Sequence, residues 1–156
     1  MKNPTTVERT SDVDVVVTRL IDAPPPIVFE AWTRADLFQR WWVPKSFPIK
    51  LLSCELDARV GGTYRLVFDA EGQPMTFFGR YLEVAPPSRL VWTNEESGED
   101  AAAITTVTFE ARGDKTWVTM HDRHPSKEAL DAAIGATEVA PETFDQLEAL
   151  VASGSN

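Results

Sequence analysis

The sequence has only one cysteine, Cys54, so its 156 residues cannot form an internal disulfide bond. It also lacks the run of about 18 apolar residues that a membrane-spanning helix needs, and residues 1–14 are too polar for a signal peptide. Basic residues number 15 against 24 acidic ones, which gives a net charge of −9. Binding to nucleic acid or anionic lipid depends on clustered basic side chains. We therefore expect a soluble, cytoplasmic protein that binds no nucleic acid and inserts into no membrane.

Sequence patterns for catalysis or cofactor binding are scarce as well. There is no Gly-x-Ser-x-Gly motif for a serine nucleophile, and Gly61-Gly62 is followed by no phosphate-binding lysine. The two histidines fall in the stretch His121–His124. On a strand, His121 and His124 point to opposite faces and cannot share a metal ion. We expect no metal site, no cofactor and an inert thiol at Cys54.

Large aromatic residues, by contrast, are abundant, with five Trp and eight Phe. Rings of this size fill wide spaces between a sheet and a helix, or line a hollow left between them. The length suits one domain. We predict a flexible tail over residues 1–12, a single domain over residues 13–152 and a short C-terminal tail over residues 153–156.

The order of apolar patterns predicts strands with a few helices. A β-branched strand over 13–21 precedes a proline run and two short helices, the second of which carries Trp41 and Trp42 and ends at Pro44. Six further strands are separated by turn signals, which is typical of an antiparallel meander. The last helix carries one apolar face that must cover the sheet.

Several separated motifs then point to a known family. They include Arg19-Leu20-Ile21-Asp22-Ala23-Pro24, Ala31-Trp32-Thr33, Trp41-Trp42-x-Pro44, Asp57-x-Arg59-x-Gly61-Gly62, Gly79-x-Tyr81-Leu82-Glu83-Val84-x-Pro86-Pro87-x-Arg89-Leu90, Val107-Thr108-Phe109 and Asp145-Gln146-Leu147. In this order the chain resembles the START-like (SRPBCC) superfamily, and within it the family named after the activator of the heat-shock protein 90 ATPase (homologue-1-like domains). One departure is that Val139 and Ala140 replace the Gly-Trp pair usual at the start of the last helix, just before Pro141.

This resemblance implies an α+β helix-grip fold, also called START-like or birch-pollen-allergen-like. Such a fold has a curved antiparallel sheet of about seven strands, two short helices after the first strand and a long C-terminal helix over the sheet. The superfamily includes lipid carriers, cyclases and chaperone cofactors, so the fold does not decide the function.

The alternation of side chains along the predicted strands gives candidate cavity residues. Tyr64, Leu66 and Phe68 share one face, as do Phe77, Gly79 and Tyr81. The full predicted lining is Trp42, Tyr64, Leu66, Phe68, Phe77, Gly79, Tyr81, Trp92, Met120, Asp122 and Phe144. For Gly79 the alternative is a bent strand that packs closely, and for Trp41 we favour a core anchor.

Asp122 allows two interpretations. If Met120 faces the cavity, Asp122 continues that row and could orient a ligand or act as a general base. Alternatively, it lies at the exposed end of the strand.

Three functions follow from these observations. The leading hypothesis is non-enzymatic binding of a small lipophilic or aromatic molecule between the sheet and the last helix, which calls for a cavity of about 300 Å³ or more. The alternative is a stress-response protein that contacts a chaperone, as the family name implies. The third is a cyclase- or hydrolase-like enzyme that uses Asp122, Tyr64 and Tyr81. The chain is expected to be a monomer or a homodimer.

Overall fold

The computed structural model describes residues 4–46, 49–70, 72–95, 102–137 and 140–153. Within these ranges the strands are β1 (Thr5–Arg9), β2 (Asp14–Ile21), β3 (Ile49–Leu56), β4 (Thr63–Ala70), β5 (Gln73–Ala85), β6 (Arg89–Asn94), β7 (Ala103–Arg112) and β8 (Lys115–Arg123). The helices are α1 (Pro25–Thr33), α2 (Ala35–Phe38), α3 (Lys127–Thr137) and α4 (Ala140–Ser153). None of these helices combines the length and apolar character needed to cross a membrane.

All the strands belong to one curved antiparallel sheet in the order β1-β2-β8-β7-β6-β5-β4-β3. Chain neighbours pair throughout, except that β2 pairs with β8. Helices α1 and α4 pack across the inner face of this sheet and contact each other. The predicted α+β helix-grip fold is therefore confirmed, with eight strands where the sequence predicted about seven.

The additional strand comes from the segment that the sequence analysis assigned to a flexible tail. Thr5–Arg9 pairs with β2, and Val7 lies opposite Val17 and packs against the core. Arg9 also forms an ion pair with Asp131 of α3, at 2.7 Å. The β-branched run Thr5-Thr6-Val7 suits a strand, although it is too short to stand out within a polar stretch. The prediction of a tail was therefore wrong for these five residues.

The inner face of the sheet follows the alternation of side chains along each strand. On β2, Val15 and Val17 are fully buried, and on β8, Val118 and Met120 are buried. Helix α1 begins at Pro25, where proline's missing N–H costs nothing, and it buries Phe29 and Trp32 against this face. The core thus lies between the sheet and the helices.

Helix α2 is shorter than predicted. It ends at Phe38, and the chain continues through hydrogen-bonded turns in which the N–H groups of Trp41 and Trp42 both donate to the Phe38 carbonyl. The indole Nε1 of Trp41 donates to the carbonyl of Ala31 at 2.9 Å. This contact attaches Trp41 to α1, and the predicted continuation of the helix to Pro44 was wrong.

A buried arginine attaches α4 to the sheet. Arg19 of β2 is 1% exposed, and its guanidinium forms ion pairs with Asp145 and Glu148 of α4. It also donates to the hydroxyl of Thr5 at 3.0 Å. We call these four residues the Arg19 clamp. A buried guanidinium destabilises the folded state unless it is paired. The ion pairs to α4 and the hydrogen bond to Thr5 therefore hold α4 and β1 at the same edge of the sheet.

The same turn of α4 also holds the chain segment Trp41–Ser46. The Gln146 side chain donates to the carbonyls of Trp41 and Val43 at 2.9 and 2.8 Å, and it accepts from the N–H of Lys45 at 2.9 Å. Glu142 accepts from both the N–H and the hydroxyl of Ser46. A segment without regular secondary structure is thereby kept in place by helix side chains.

Candidate ligand cavity

An aromatic cavity lies between α1, α2 and the half of the sheet formed by β3 to β6. Its lining consists of Trp32, Phe38, Trp42, Leu56, Tyr64, Leu66, Phe77, Tyr81, Trp92 and Asn94. None of these ten side chains is charged, and seven of them carry aromatic rings. Four of them keep partial exposure and border the mouth: Trp42, Leu56, Phe77 and Asn94.

The deep part of the cavity is small. The cavity and its open mouth together enclose about 420 Å³ of atom-free space, of which about 50 Å³ accepts the centre of a water molecule. The smaller of these two volumes, about 50 Å³, is below the roughly 300 Å³ of cavity that the leading hypothesis called for. The rings themselves take up the space: those of Phe38 and Trp42 stack with centroids 4.7 Å apart, and those of Tyr64 and Tyr81 meet edge to face at 6.0 Å.

The structure brings six of the eleven predicted residues together in this lining, namely Trp42, Tyr64, Leu66, Phe77, Tyr81 and Trp92. The sequence analysis missed four others: Trp32, Phe38, Leu56 and Asn94. Five predicted residues lie outside the lining: Phe68, Gly79, Met120, Asp122 and Phe144.

Each of the three apolar side chains outside the lining has packing of its own. The Phe68 ring contacts that of Phe77 at 5.3 Å between centroids. Phe144 packs edge-on against Trp32, and Met120 is buried further along β8. Ala140, at the position of the family's usual tryptophan, is buried but borders no part of the cavity. Val139 lies outside the described residues.

Gly79 is explained by close packing rather than by a need for space in the cavity. A Cβ atom at this position would lie 1.9 Å from the carbonyl oxygen of Thr93 and 2.9 Å from the Tyr64 ring. No side chain fits there, so β5 can approach β6 only with glycine at this position. The alternative interpretation of Gly79, a strand that packs closely, therefore describes its surroundings.

Two adjacent tryptophans have different surroundings. Trp41 is fully buried and hydrogen-bonded to α1, as expected of a core anchor. Trp42 is half-buried, lines the cavity and contacts the rings of Trp32 and Phe38. Side chains one residue apart diverge in a turn, so one enters the core while the next borders the mouth.

The polar part of the cavity wall is built around Asn94. Its Oδ1 accepts from Trp92 Nε1 at 3.3 Å and shares the one proton of the Tyr64 hydroxyl, 3.1 Å away, with the carbonyl of Thr93 at 2.8 Å. Its Nδ2 donates to Thr105 Oγ1 at 2.9 Å and to the carbonyl of Ala103 at 3.3 Å. An amide has two acceptor sites and two donors, so Asn94 is fully engaged by the protein.

Trp32 differs from Asn94 in this respect. Its side chain is 2% exposed, and its Nε1 has no hydrogen-bond partner among the described residues. Leaving a buried donor unpaired costs about 1–3 kcal/mol. The lining therefore contains one buried N–H group whose hydrogen-bonding capacity is unused.

Asp122 lies near the cavity wall without belonging to it. It continues the inward row of β8 and accepts a hydrogen bond from the Thr105 hydroxyl at 2.5 Å. Burial raises the pKa of its carboxyl. The enzymatic hypothesis placed Asp122 in one cavity with Tyr64 and Tyr81, and the lining does not contain this acid.

Only His121 belongs to β8, because the strand ends at Arg123, one residue before His124. His121 contacts Asp14 on the outer face, with Nε2 and Oδ1 2.7 Å apart. Within the described ranges, no three His, Cys, Asp or Glu side chains lie close enough together to hold a metal ion.

The thiol and phenol nearest the cavity are poor acid–base groups near neutral pH. Burial raises the pKa of the Cys54 thiol to about 11, and it raises the pKa of Tyr81 as well. Both side chains therefore stay protonated and uncharged near pH 7. This agrees with an inert thiol at Cys54.

Solved structures share this architecture. A protein from Nitrosomonas europaea is 22% identical with a TM-score of 0.82, covering 94% of this chain and 98% of its own. One from Rhodobacter sphaeroides is 20% identical with a TM-score of 0.85, and the match covers 97% of this chain and 99% of the other. One from Chromobacterium violaceum is 28% identical with a TM-score of 0.73, covering 90% and 98%.

Curated proteins provide no match to this sequence. A family model does match, over residues 22–152, which is most of the chain and includes every residue of the cavity lining. The chain therefore belongs to the family described as Activator of Hsp90 ATPase homolog 1-like protein.

Proposed function

We propose that this protein binds a small aromatic or lipophilic molecule in the aromatic cavity, without chemical turnover. The observation that carries the proposal is the lining itself: ten uncharged side chains from both layers of the fold surround one space that opens to solvent at Trp42, Leu56 and Phe77. Concave sites with apolar and aromatic walls and a few polar groups are typical of small-molecule sites.

Binding requires rearrangement of the rings, because the space in the cavity that accepts the centre of a water molecule, about 50 Å³, is too small for an aromatic ring. The stacked pair Phe38–Trp42 lies at the mouth, and Trp42 is only half-buried. Separating such a pair costs about 0.5–1.5 kcal/mol. A ligand ring that stacks on either partner restores a similar contact, so the rearrangement has a small net cost.

The test uses N-phenyl-1-naphthylamine, a neutral fluorescent probe, and two matched variants of strand β3. Leu56→Trp places a large ring at the mouth, whereas Leu52→Trp adds the same ring on the outer face, where Leu52 is 59% exposed. At about −0.3 kcal/mol per non-hydrogen atom, the probe should bind with a Kd of the order of 100 µM. We expect Leu56→Trp to weaken binding at least tenfold and Leu52→Trp to leave it unchanged.

Two results would contradict the proposal. One is the absence of saturable fluorescence enhancement with the unmodified protein. The other is equal binding by both variants, which would place the probe outside the cavity. Circular dichroism of each variant verifies that the fold is intact.

A second candidate is contact with a chaperone, which the family description supplies. The observation that favours it is a set of apolar side chains exposed on β3 and β5: Leu52, Phe78 and Leu82 are 59%, 43% and 48% exposed. Exposed apolar groups of this kind are found at interaction surfaces. If this candidate is correct, micromolar protein should stimulate the ATPase of a heat-shock protein 90, and Phe78→Ser should reduce the stimulation. An unchanged ATPase rate would count against it.

A further inference from the structure

We infer that the ligand of the aromatic cavity is uncharged and presents a hydrogen-bond acceptor, such as a carbonyl oxygen, to Nε1 of Trp32. This inference rests on the proposed function and narrows the chemical class of the ligand.

The first step concerns the surroundings of Trp32. Its indole is enclosed by five other rings, with centroid distances from 4.7 to 6.0 Å, contributed by Trp41, Trp42, Trp92, Phe109 and Phe144. Ring faces are weak acceptors compared with oxygen. Nε1 is buried and has no hydrogen-bond partner among the described residues, so packing alone does not satisfy it.

The second step concerns the neighbouring polar groups. The Asn94 amide, the Trp92 Nε1 group and the Tyr64 hydroxyl are already joined to one another and to strand β7 or β6. They therefore hold the wall in place. Among the described lining residues, Trp32 is the one whose buried side-chain nitrogen has no partner. Because Nε1 is covered in this structure, a ligand reaches it only after the rearrangement of the rings that binding requires.

The third step concerns charge. None of the ten lining side chains carries a charge, so a charged ligand would lose its hydration without gaining a counter-ion. That loss is far larger than the gain from one hydrogen bond. An uncharged molecule with an apolar body and one acceptor oxygen matches the wall. Its oxygen accepts a hydrogen bond from Nε1 of Trp32, and its apolar body contacts the aromatic rings.

The experiment compares 2-acetylnaphthalene with 2-isopropenylnaphthalene, in which a CH₂ group replaces the carbonyl oxygen, so the two compounds match in size and shape and differ in the acceptor. Each is titrated into the full chain labelled with ¹⁵N at its five indoles, and the Trp32 signal is assigned by its loss in Trp32→Phe. We expect the ketone to bind about tenfold more tightly and to move the Trp32 indole proton downfield. We expect Trp32→Phe to bind the two compounds equally.

The outcomes separate this inference from the proposed function. If both compounds bind equally and the Trp32 signal of the unmodified protein stays in place, the acceptor inference is overturned and the cavity remains a binding site. If neither compound binds at millimolar concentration, the proposed function is overturned and the inference with it. The signal of the unmodified protein decides the matter even if Trp32→Phe fails to fold.

Discussion

The two ends of the inner face differ in how they treat a buried charge and a buried neutral donor. At one end, the Arg19 clamp pairs both terminal nitrogens of a buried guanidinium with Asp145, Glu148 and the Thr5 hydroxyl, while Arg19 Nε has no partner among the described residues. At the other end, the buried Nε1 of Trp32 has no partner among the described residues. Unpaired charge in the interior is far more costly than an unpaired neutral N–H. The fold therefore pairs the charge of Arg19, which fixes α4, and leaves the neutral Nε1 group of Trp32 without a partner beside the cavity.

Breaking the clamp should have the largest effect on stability. Arg19→Met keeps an apolar stem of similar length and leaves two carboxylates without their shared cation. We expect a loss of about 3 kcal/mol in the free energy of unfolding, at the low end for a broken buried pair because Asp145 is 34% exposed. Urea unfolding followed by tryptophan fluorescence measures it.

The matched control is Arg34→Met, at a second arginine that pairs with two acidic residues, Glu30 and Asp36. Its side chain is 56% exposed, so its ion pairs lie in solvent. We expect a loss of less than about 1 kcal/mol. Equal losses for the two arginines would show that burial does not distinguish the clamp from a surface pair.

A smaller effect is expected from Asp122→Asn, which tests the hydrogen-bonded connection between the cavity wall and the middle of the sheet. Because burial raises the pKa of Asp122, the folded state binds this proton more tightly than the unfolded state. Stability therefore falls as pH rises from the unfolded pKa near 3.8 through the higher folded pKa. The amide avoids this penalty and still accepts from Thr105.

We expect Asp122→Asn to be more stable than the unmodified protein by roughly 1 kcal/mol at pH 7, with the gain vanishing as pH falls towards 3.8. Asp14→Asn provides a control of opposite sign. Hydrogen bonds from Ser11 and His121 lower the pKa of Asp14, so its contribution is present above the unfolded pKa and is lost as pH falls. Urea midpoints from pH 3.5 to 8 measure the stability of both variants relative to the unmodified protein. If the two differences change with pH in the same direction, the opposite pKa shifts of Asp122 and Asp14 are contradicted.

Much of the fold could be predicted from the sequence because its motifs are local. The inward row of Tyr64 and Leu66 follows from strict alternation, and the turns follow from Gly61-Gly62 and Pro86-Pro87. Strand β1 escaped prediction because its five residues lie in a polar stretch, and the short connection from Arg9 to Asp14 contains neither the Gly nor the Pro that marks a turn in a sequence.

The cavity was less accessible to prediction. Trp32 and Phe38 have the spacing of helix core residues, and no local pattern distinguishes a core ring from one that borders a hollow. Asn94 was predicted as the last residue of a strand, and a strand end before an acidic run does not indicate that its amide organises the polar wall. The volume of the cavity depends on how seven aromatic rings pack together, a property of the assembled structure rather than of any one segment.

Gln146 joins these two ends of the molecule through a single turn of α4. Its neighbour Asp145 belongs to the Arg19 clamp, while its own amide is bonded to the backbone on both sides of Trp42. One turn of α4 therefore holds two separate parts of the molecule, the edge of the sheet through Asp145 and the backbone around Trp42 through Gln146. The position of the tryptophan at the cavity mouth is thus defined by the same helix that the buried arginine fixes to the sheet.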